Sequence, residues 1–152
     1  MQLVLAGDGE TEEELRRQAQ PLGDRAHFVP TPGANVADVL SAFDVAVFCP
    51  SPTEGAPRAV ILAMLAERPC VATGAEGVAD IILSGTGIIT EPENEPVALA
   101  EALRLYLDDP ARGAREGAEA RRRAVAVYDA GAVAEKIEAL WSKAEAEPVG
   151  VS

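Results

Sequence analysis

Short apolar runs alternate with stretches of helical spacing along the whole chain. Leu3 to Ala6, Ala26 to Val29, Val45 to Cys49, Cys70 to Thr73 and Gly87 to Thr90 read as five short strands, bounded by glycine, proline or polar residues. Helical signals fall between them. An acidic start covers Thr11 to Glu14. Val36, Val39, Leu40 and Phe43 follow i, i+3, i+4, i+7 spacing. A further run extends from about Pro57 to Glu67, and a short one covers Gly77 to Leu83. Three helices close the chain. The first starts near Pro96 and carries Leu99, Leu103 and Leu107 on one face. The second runs from about Ala111 into Arg121-Arg122-Arg123. The third places Val133, Ile137, Leu140 and Trp141 on one stripe. That stripe is predicted to pack onto the body of the domain, as amphipathic helices usually do. The arginine triplet is placed near a helix C-terminus, where the dipole favours cations, and reads as a solvated face in preference to a phosphate site.

Strands alternating with helices imply an α/β fold: a Rossmann-like, doubly wound parallel sheet of about five strands with helices on both faces. No internal repeat, low-complexity tract or linker interrupts the pattern. Residues 1–144 therefore read as one domain and 145–152 as a frayed tail.

Composition narrows the function classes. The 152 residues are enough for a real core, and 48% are apolar. Thirteen basic and 25 acidic residues give a net charge of −12. That disfavours non-specific nucleic-acid binding and attraction to anionic lipid. No apolar run is long enough to span a bilayer, and Met1 leads almost directly into a strand, so a cytoplasmic location is the expectation. Cys49 and Cys70 read as buried free thiols, with a disulfide between neighbouring strands as the alternative. One histidine, His27, leaves no His-rich metal cluster, and no metal site is expected. His27 itself reads as an edge or partly buried residue with a satisfied hydrogen bond.

Several familiar signatures fail. Gly7-x-Gly9 lacks the third glycine of G-x-G-x-x-G, since Glu12 stands there, and Gly85-x-Gly87 fails likewise at Thr90. No P-loop is present, and the only lysines are Lys136 and Lys143. Asp8 either fixes the tight turn between two glycines or contacts a ligand at the usual binding end of an open α/β sheet. Glu10, Glu12, Glu13 and Glu14 read as a solvated helix start favoured by the dipole.

The informative segment is Ser51 to Met64. A strand runs into a short polar turn, and the turn opens a helix with Pro57 at or near its first position, where a missing N–H costs little. A helix start just past a parallel strand presents free N–H groups and a positive dipole end to the crevice. Glu54, just before it, can hold a sugar hydroxyl. The arrangement suits an anionic sugar nucleotide.

The order of motifs resembles the C-terminal, donor-binding domain of the GT-B glycosyltransferases, in the mostly retaining family called group 1. Val4 to Gly9 is similar to its V-G-D-G-P turn, and Phe43 to Ser51 to its A-D-V-x-V-x-P-S strand. Glu54-Gly55-Ala56-Pro57 with Leu62-Ala63-Met64 is similar to E-G-x-P-x-x-x-x-E-A-M. Pro69 to Thr73 resembles P-V-V-A-T, Gly77 to Ile82 resembles G-x-x-E-I-I, and Asp109-Pro110 resembles the family's D-P break. The resemblance implies that Glu54 holds hydroxyls of the donor sugar. Gly55, Ala56, Pro57 and Arg58 would face sugar and diphosphate, Val29, Pro30 and Thr31 would lie near the nucleobase, and Gly7, Asp8 and Gly9 would form the crevice turn. The donor substrate would be a nucleoside diphosphate sugar, with no further cofactor.

Three departures accompany the resemblance. The family's second glutamate, which grips the donor ribose, is Leu62 here, a loss of roughly 1.5–3 kcal/mol of hydrogen bonding. Ala56 and Pro30 replace a common Phe or Leu and a common Gly. The chain also begins after the family's G-R-L-x-x-x-K-G unit, whose Arg and Lys neutralise the donor diphosphate, and after the N-terminal acceptor domain. The family order 3-2-1-4-5-6 then loses its central strand, and closure of the gap predicts order 2-1-3-4-5. A swapped or partner-completed sheet is the alternative.

The expected function is donor binding within a transferase that moves a hexose to an acceptor hydroxyl, with the isolated chain catalytically incomplete. Its partners would be the nucleotide sugar and the missing N-terminal domain or a second copy of the chain. The alternative is a degenerate, non-enzymatic module that binds a protein partner. A third reading, a flavodoxin-like flavin binder, lacks a Ser/Thr-rich phosphate loop after the first strand.

Overall fold

The computed structural model describes residues 1–30, 36–49, 57–75, 77–91 and 95–146. The chain divides into two compact units, Met1–Ala42 and Phe43–Ser152.

The first unit pairs β1 (Leu3–Ala6) with β2 (Ala26–Val29) in parallel, Leu3 opposite Ala26 and Ala6 opposite Val29. Between them run α1 (Glu12–Ala19) and a 3₁₀ segment (Gln20–Arg25). Glutamates fill the first turn of α1 and arginines the last, as the helix dipole favours. The Arg16 guanidinium covers the Phe28 ring at 4.3 Å. His27 is exposed, and its Nε2 lies 3.0 Å from Gln2 Oε1, the satisfied edge histidine that was expected. Helix α2 (Val36–Ser41) follows β2 and buries Leu40.

The second unit is a three-stranded parallel sheet in the order β3 (Ala46–Phe48), β4 (Cys70–Thr73), β5 (Gly87–Thr90). All four residues of β4 are buried. Side chains alternate along a strand, so each face of β4 needs its own cover. Cys70 points to α3 (Arg58–Leu65), its Sγ 4.0 Å from Val60 O. Val71 packs with Ala102 and Tyr106 of α5 (Pro96–Asp108) on the other face. Helices thus cover both faces of this sheet. Gly87 lets β5 approach β4, because a Cβ there would sit 2.5 Å from Cys70 O.

Helix α4 (Val78–Ile81) connects β4 to β5, and α6 (Pro110–Tyr128) and α7 (Ala130–Ala146) end the chain. Carboxylates cap α5 and α6: Glu95 accepts from the Val97 amide, and Asp109 from the Arg112 amide at 2.9 Å. The Asp-Pro pair starts α6, with Asp109 as cap and Pro110 at its first residue. The Tyr106 hydroxyl donates to Glu116, which also accepts from Arg112 Nε at 2.7 Å, tying α5 to α6.

The structure corrects five expectations. The pairs 2-1, 3-4 and 4-5 form, but the ladders make two sheets, and β1 does not pair with β3. Second, the arginine triplet lies inside α6 and not at its end. Third, the α7 stripe is uncovered, with Leu140 at 69% and Trp141 at 68% exposure. Fourth, Cys49 is exposed, because β3 ends one residue before it; Cys70 is buried as expected, and both thiols are free. Fifth, α5 seats Ala102 and Tyr106 fully, with Leu99 and Leu103 half-buried beside them, while Leu107 faces outward.

Candidate functional site

The residues singled out by sequence sit after the carboxyl ends of β1, β2 and β3. Glu54, Gly55 and Ala56, and Thr31 of the nucleobase segment, lie outside the described residues. The others fall into the two units.

In the first unit, the Gly7 amide donates to Val29 O at 3.0 Å, carrying the β1–β2 ladder one residue past the strands. The backbone of Gly7 turns there with φ +143°, which side chains rarely allow. Gly7, Asp8 and Gly9 are all exposed, and Cβ atoms on Gly7 and Gly9 would meet nothing within 4 Å. The chain closes into α1 through the Glu12 amide on Gly9 O at 3.1 Å. Val29, half-buried, and Pro30, exposed, stand beside this turn at the end of β2. The result is an open, glycine-flanked shelf with the Asp8 carboxylate on it.

In the second unit, α3 opens at Arg58. Pro57 is its N-cap, one residue outside the helix, with extended backbone (φ −72°, ψ 110°). Pro57 O accepts from the Val60 amide at 3.1 Å. Proline has no side-chain acceptor to offer, so helix geometry leaves the Arg58 and Ala59 amides without an intrahelical partner. Glu95 and Asp109 cap α5 and α6, whereas among the described residues no carboxylate caps α3. Arg58 is exposed at the first position of the helix. Leu62 follows one turn later, half-buried. The Thr73 hydroxyl, at the carboxyl end of β4, is buried with no partner among the described residues.

Cys70 lies beneath α3 and takes no part in this chemistry, since burial pushes its thiol up to about 12. Burial and the bond to Glu116 likewise raise the Tyr106 hydroxyl and keep it neutral. Among the described residues no group of three or more His, Cys, Asp or Glu side chains is placed to hold a metal ion, and no helix is long and apolar enough to cross a membrane.

Sequence reasoning missed the support behind α3. Arg121 Nη1 donates to Leu65 O at 3.1 Å at the end of that helix, and Arg123 reaches Asp80 O at 2.8 Å and Ile81 O at 3.3 Å at the end of α4. Among the described residues Arg122 pairs only with Glu119 of its own helix. The available signal was the row Gly113, Gly117, Ala120 and Ala124, small residues at i, i+4, i+7, i+11, all buried.

The chain is similar in sequence and fold to several known proteins. A family model described as glycosyl transferases group 1 matches residues 1–109. A D-inositol 3-phosphate glycosyltransferase of Kineococcus radiotolerans is 36% identical over 104 residues, 62% of this chain and 23% of that protein. A GDP-mannose-dependent alpha-(1-6)-phosphatidylinositol dimannoside mannosyltransferase of Mycobacterium tuberculosis is 33% identical over 123 residues, 80% of this chain and 31% of that protein. The crystal structure of Anabaena HepE in complex with UDP-glucose superposes with a TM-score of 0.81 at 26% identity, covering 93% of this chain and 41% of that one. The chain therefore spans well under half the length of these relatives.

Proposed function

The chain belongs to the group 1 glycosyl transferases, and on that premise we propose that it is the donor-binding part of an enzyme that moves a hexose from a nucleoside diphosphate sugar to an acceptor hydroxyl. The observation that carries the reading is the start of α3, without a side-chain cap from Pro57, at the carboxyl end of a parallel sheet, in a chain that superposes on a protein solved with UDP-glucose. Residues 1–144 would act as one nucleotide-sugar-binding domain.

Each residue has a part set by its chemistry. Glu54 accepts hydrogen bonds from the donor sugar's hydroxyls. The backbone of Gly55, Ala56 and Pro57 faces sugar and diphosphate, with the Arg58 amide and guanidinium beside them. Val29, Pro30 and Thr31 line the nucleobase, and Gly7, Asp8 and Gly9 form the crevice turn. In the transfer the bond from the anomeric carbon to the diphosphate oxygen breaks as the acceptor oxygen bonds to that carbon. The acceptor proton passes to the departing phosphate oxygen or to solvent, and negative charge grows on the leaving diphosphate. Fixed amide dipoles and Arg58 stabilise that charge without reorganising. One arginine and one helix start are a weak neutralising set for a diphosphate, so the chain by itself turns over slowly or not at all.

A second reading has one observation in its favour. Leu62 puts an apolar side chain where ribose would be gripped, which fits a degenerate module that keeps the fold and binds a protein.

Calorimetric titration with UDP, GDP and their hexose conjugates separates the two. The donor reading expects saturable binding that Glu54→Ala weakens by about tenfold, one charge-assisted hydrogen bond. No heat at millimolar ligand would overturn it in favour of the protein-binding module.

A further inference from the structure

Helix α3 holds the proposed donor contact at its start, and α6 holds α3 at its end. The end of α3 is closed by a Schellman turn: the Arg68 amide donates to Ala63 O and the Glu67 amide to Met64 O, both at 3.0 Å. The left-handed position of that turn, usually glycine, is Glu67 with φ +60°, the only non-glycine residue with positive φ among the described residues. Helix α6 lies directly against it. A Cβ at Gly117 would stand 2.2 Å from Glu67 O and 3.0 Å from Glu67 C. One turn on, Arg121 donates to Leu65 O, a carbonyl the helix itself leaves unpaired, and its Nε stands 3.6 Å from Glu67 Oε1.

We propose that Gly117 and Arg121 are positioning residues for the donor site: they fix where α3 lies along its own axis, and so where its first amides meet the diphosphate. This rests on the donor-site reading above. Helix α3 has eight residues, about 12 Å at 1.5 Å per residue, and a helix this short passes a displacement of its foot to its head. A methyl at Gly117 forces a shift of roughly 1 Å to reach an ordinary carbon–oxygen contact. Misplacements of that size change binding and transfer by up to about a hundredfold. The brace lies beyond residue 109, where the family match ends.

The test compares Gly117→Ala, Arg121→Met and Arg121→Lys with the chain as given, and uses Arg122→Met as the control, since among the described residues Arg122 bonds only to Glu119 of its own helix. UDP affinity is measured by calorimetry at a temperature where circular dichroism reports each variant folded. Amide hydrogen exchange is followed over residues 58–66. The expected result is a UDP dissociation constant raised about tenfold by Gly117→Ala and about threefold by Arg121→Met, largely restored by Arg121→Lys and unmoved by Arg122→Met. A purely structural brace would lower the melting temperature and leave the affinity of the folded variants unchanged within twofold; that result overturns the proposal. If the unaltered chain binds no UDP, the donor-site reading fails by itself, and exchange decides the brace. Faster exchange across α3 in Gly117→Ala and Arg121→Met supports it, and unchanged exchange overturns it.

Discussion

Strands β1 and β4 are both apolar tetrapeptides, Leu-Val-Leu-Ala and Cys-Val-Ala-Thr, yet they have different fates. Every residue of β4 is buried, while β1 is exposed at both ends and half-exposed in its middle. The cause is cover. β4 has a strand on each side, α3 on one face and α5 on the other. β1 has one strand partner. The same contrast divides the two units: among the described residues, Met1–Ala42 buries the apolar side chains of Ala19 and Leu40, whereas Phe43–Ser152 buries Val60, Met64, Val71, Val78 and Ile81 among others. An apolar run therefore reports a capacity for burial, and the neighbours decide how much of it is used. The contrast also sorts the candidate site, since the second unit offers a helix start on a packed core and the first an open glycine turn.

The contrast is broken most forcefully by removing side chains. Met64, fully buried, should lose about 2–5 kcal/mol of stability on Met64→Ala, and half-exposed Leu5 about 1 kcal/mol or less on Leu5→Ala. Urea denaturation checks both, and equal losses would contradict the account. Adding a methyl is the next test. Gly87→Ala drives a Cβ toward Cys70 O and should cost about 1–3 kcal/mol, while Gly9→Ala, which meets nothing, should be within about 0.5 kcal/mol of neutral.

Alkaline titration sharpens the picture further. The Cys70 thiol ionises near 9.0 when unfolded and about 12 when folded. Between those values the native state keeps a proton that the unfolded state has lost, so stability falls as pH rises, by at most about 1.4 kcal/mol per pH unit. Cys70→Ala should flatten that limb, and a limb of unchanged slope would show that the thiol is not held neutral. The smallest effect is a gain. Glu67 sits at a left-handed cap that glycine occupies without strain, so Glu67→Gly should add about 1 kcal/mol. Its exposed pair with Arg121 offsets little of this. Thermal melts at fixed pH would read it, and a loss of stability would mean the pair outweighs the strain.

Much of the fold was legible because the strands are short, apolar and punctuated. The bounds of β1, β2, β4 and β5 were read as they stand, and Pro57 was read one residue into a helix that it caps. What stayed hidden depends on partners distant in sequence. Arg121 and Arg123 looked like charges for their own helix end, and they serve the ends of α3 and α4 instead. The α7 stripe has the spacing of a buried face, but spacing does not supply the surface that would bury it. Within the candidate site, Arg58 and Leu62 were located by counting along a helix. Thr73 was missed, because a threonine ending an apolar strand gives no sign that its hydroxyl lacks a partner.

The most direct test of the central claim is to titrate the isotopically labelled chain with UDP and follow its amide resonances. The account predicts saturable shifts concentrated at Arg58, Ala59 and Val60, with Tyr106 and Gly113, which pack near Pro69 at the amino end of β4, unmoved. Shifts centred on Tyr106 and Gly113, or none at millimolar UDP, would contradict it.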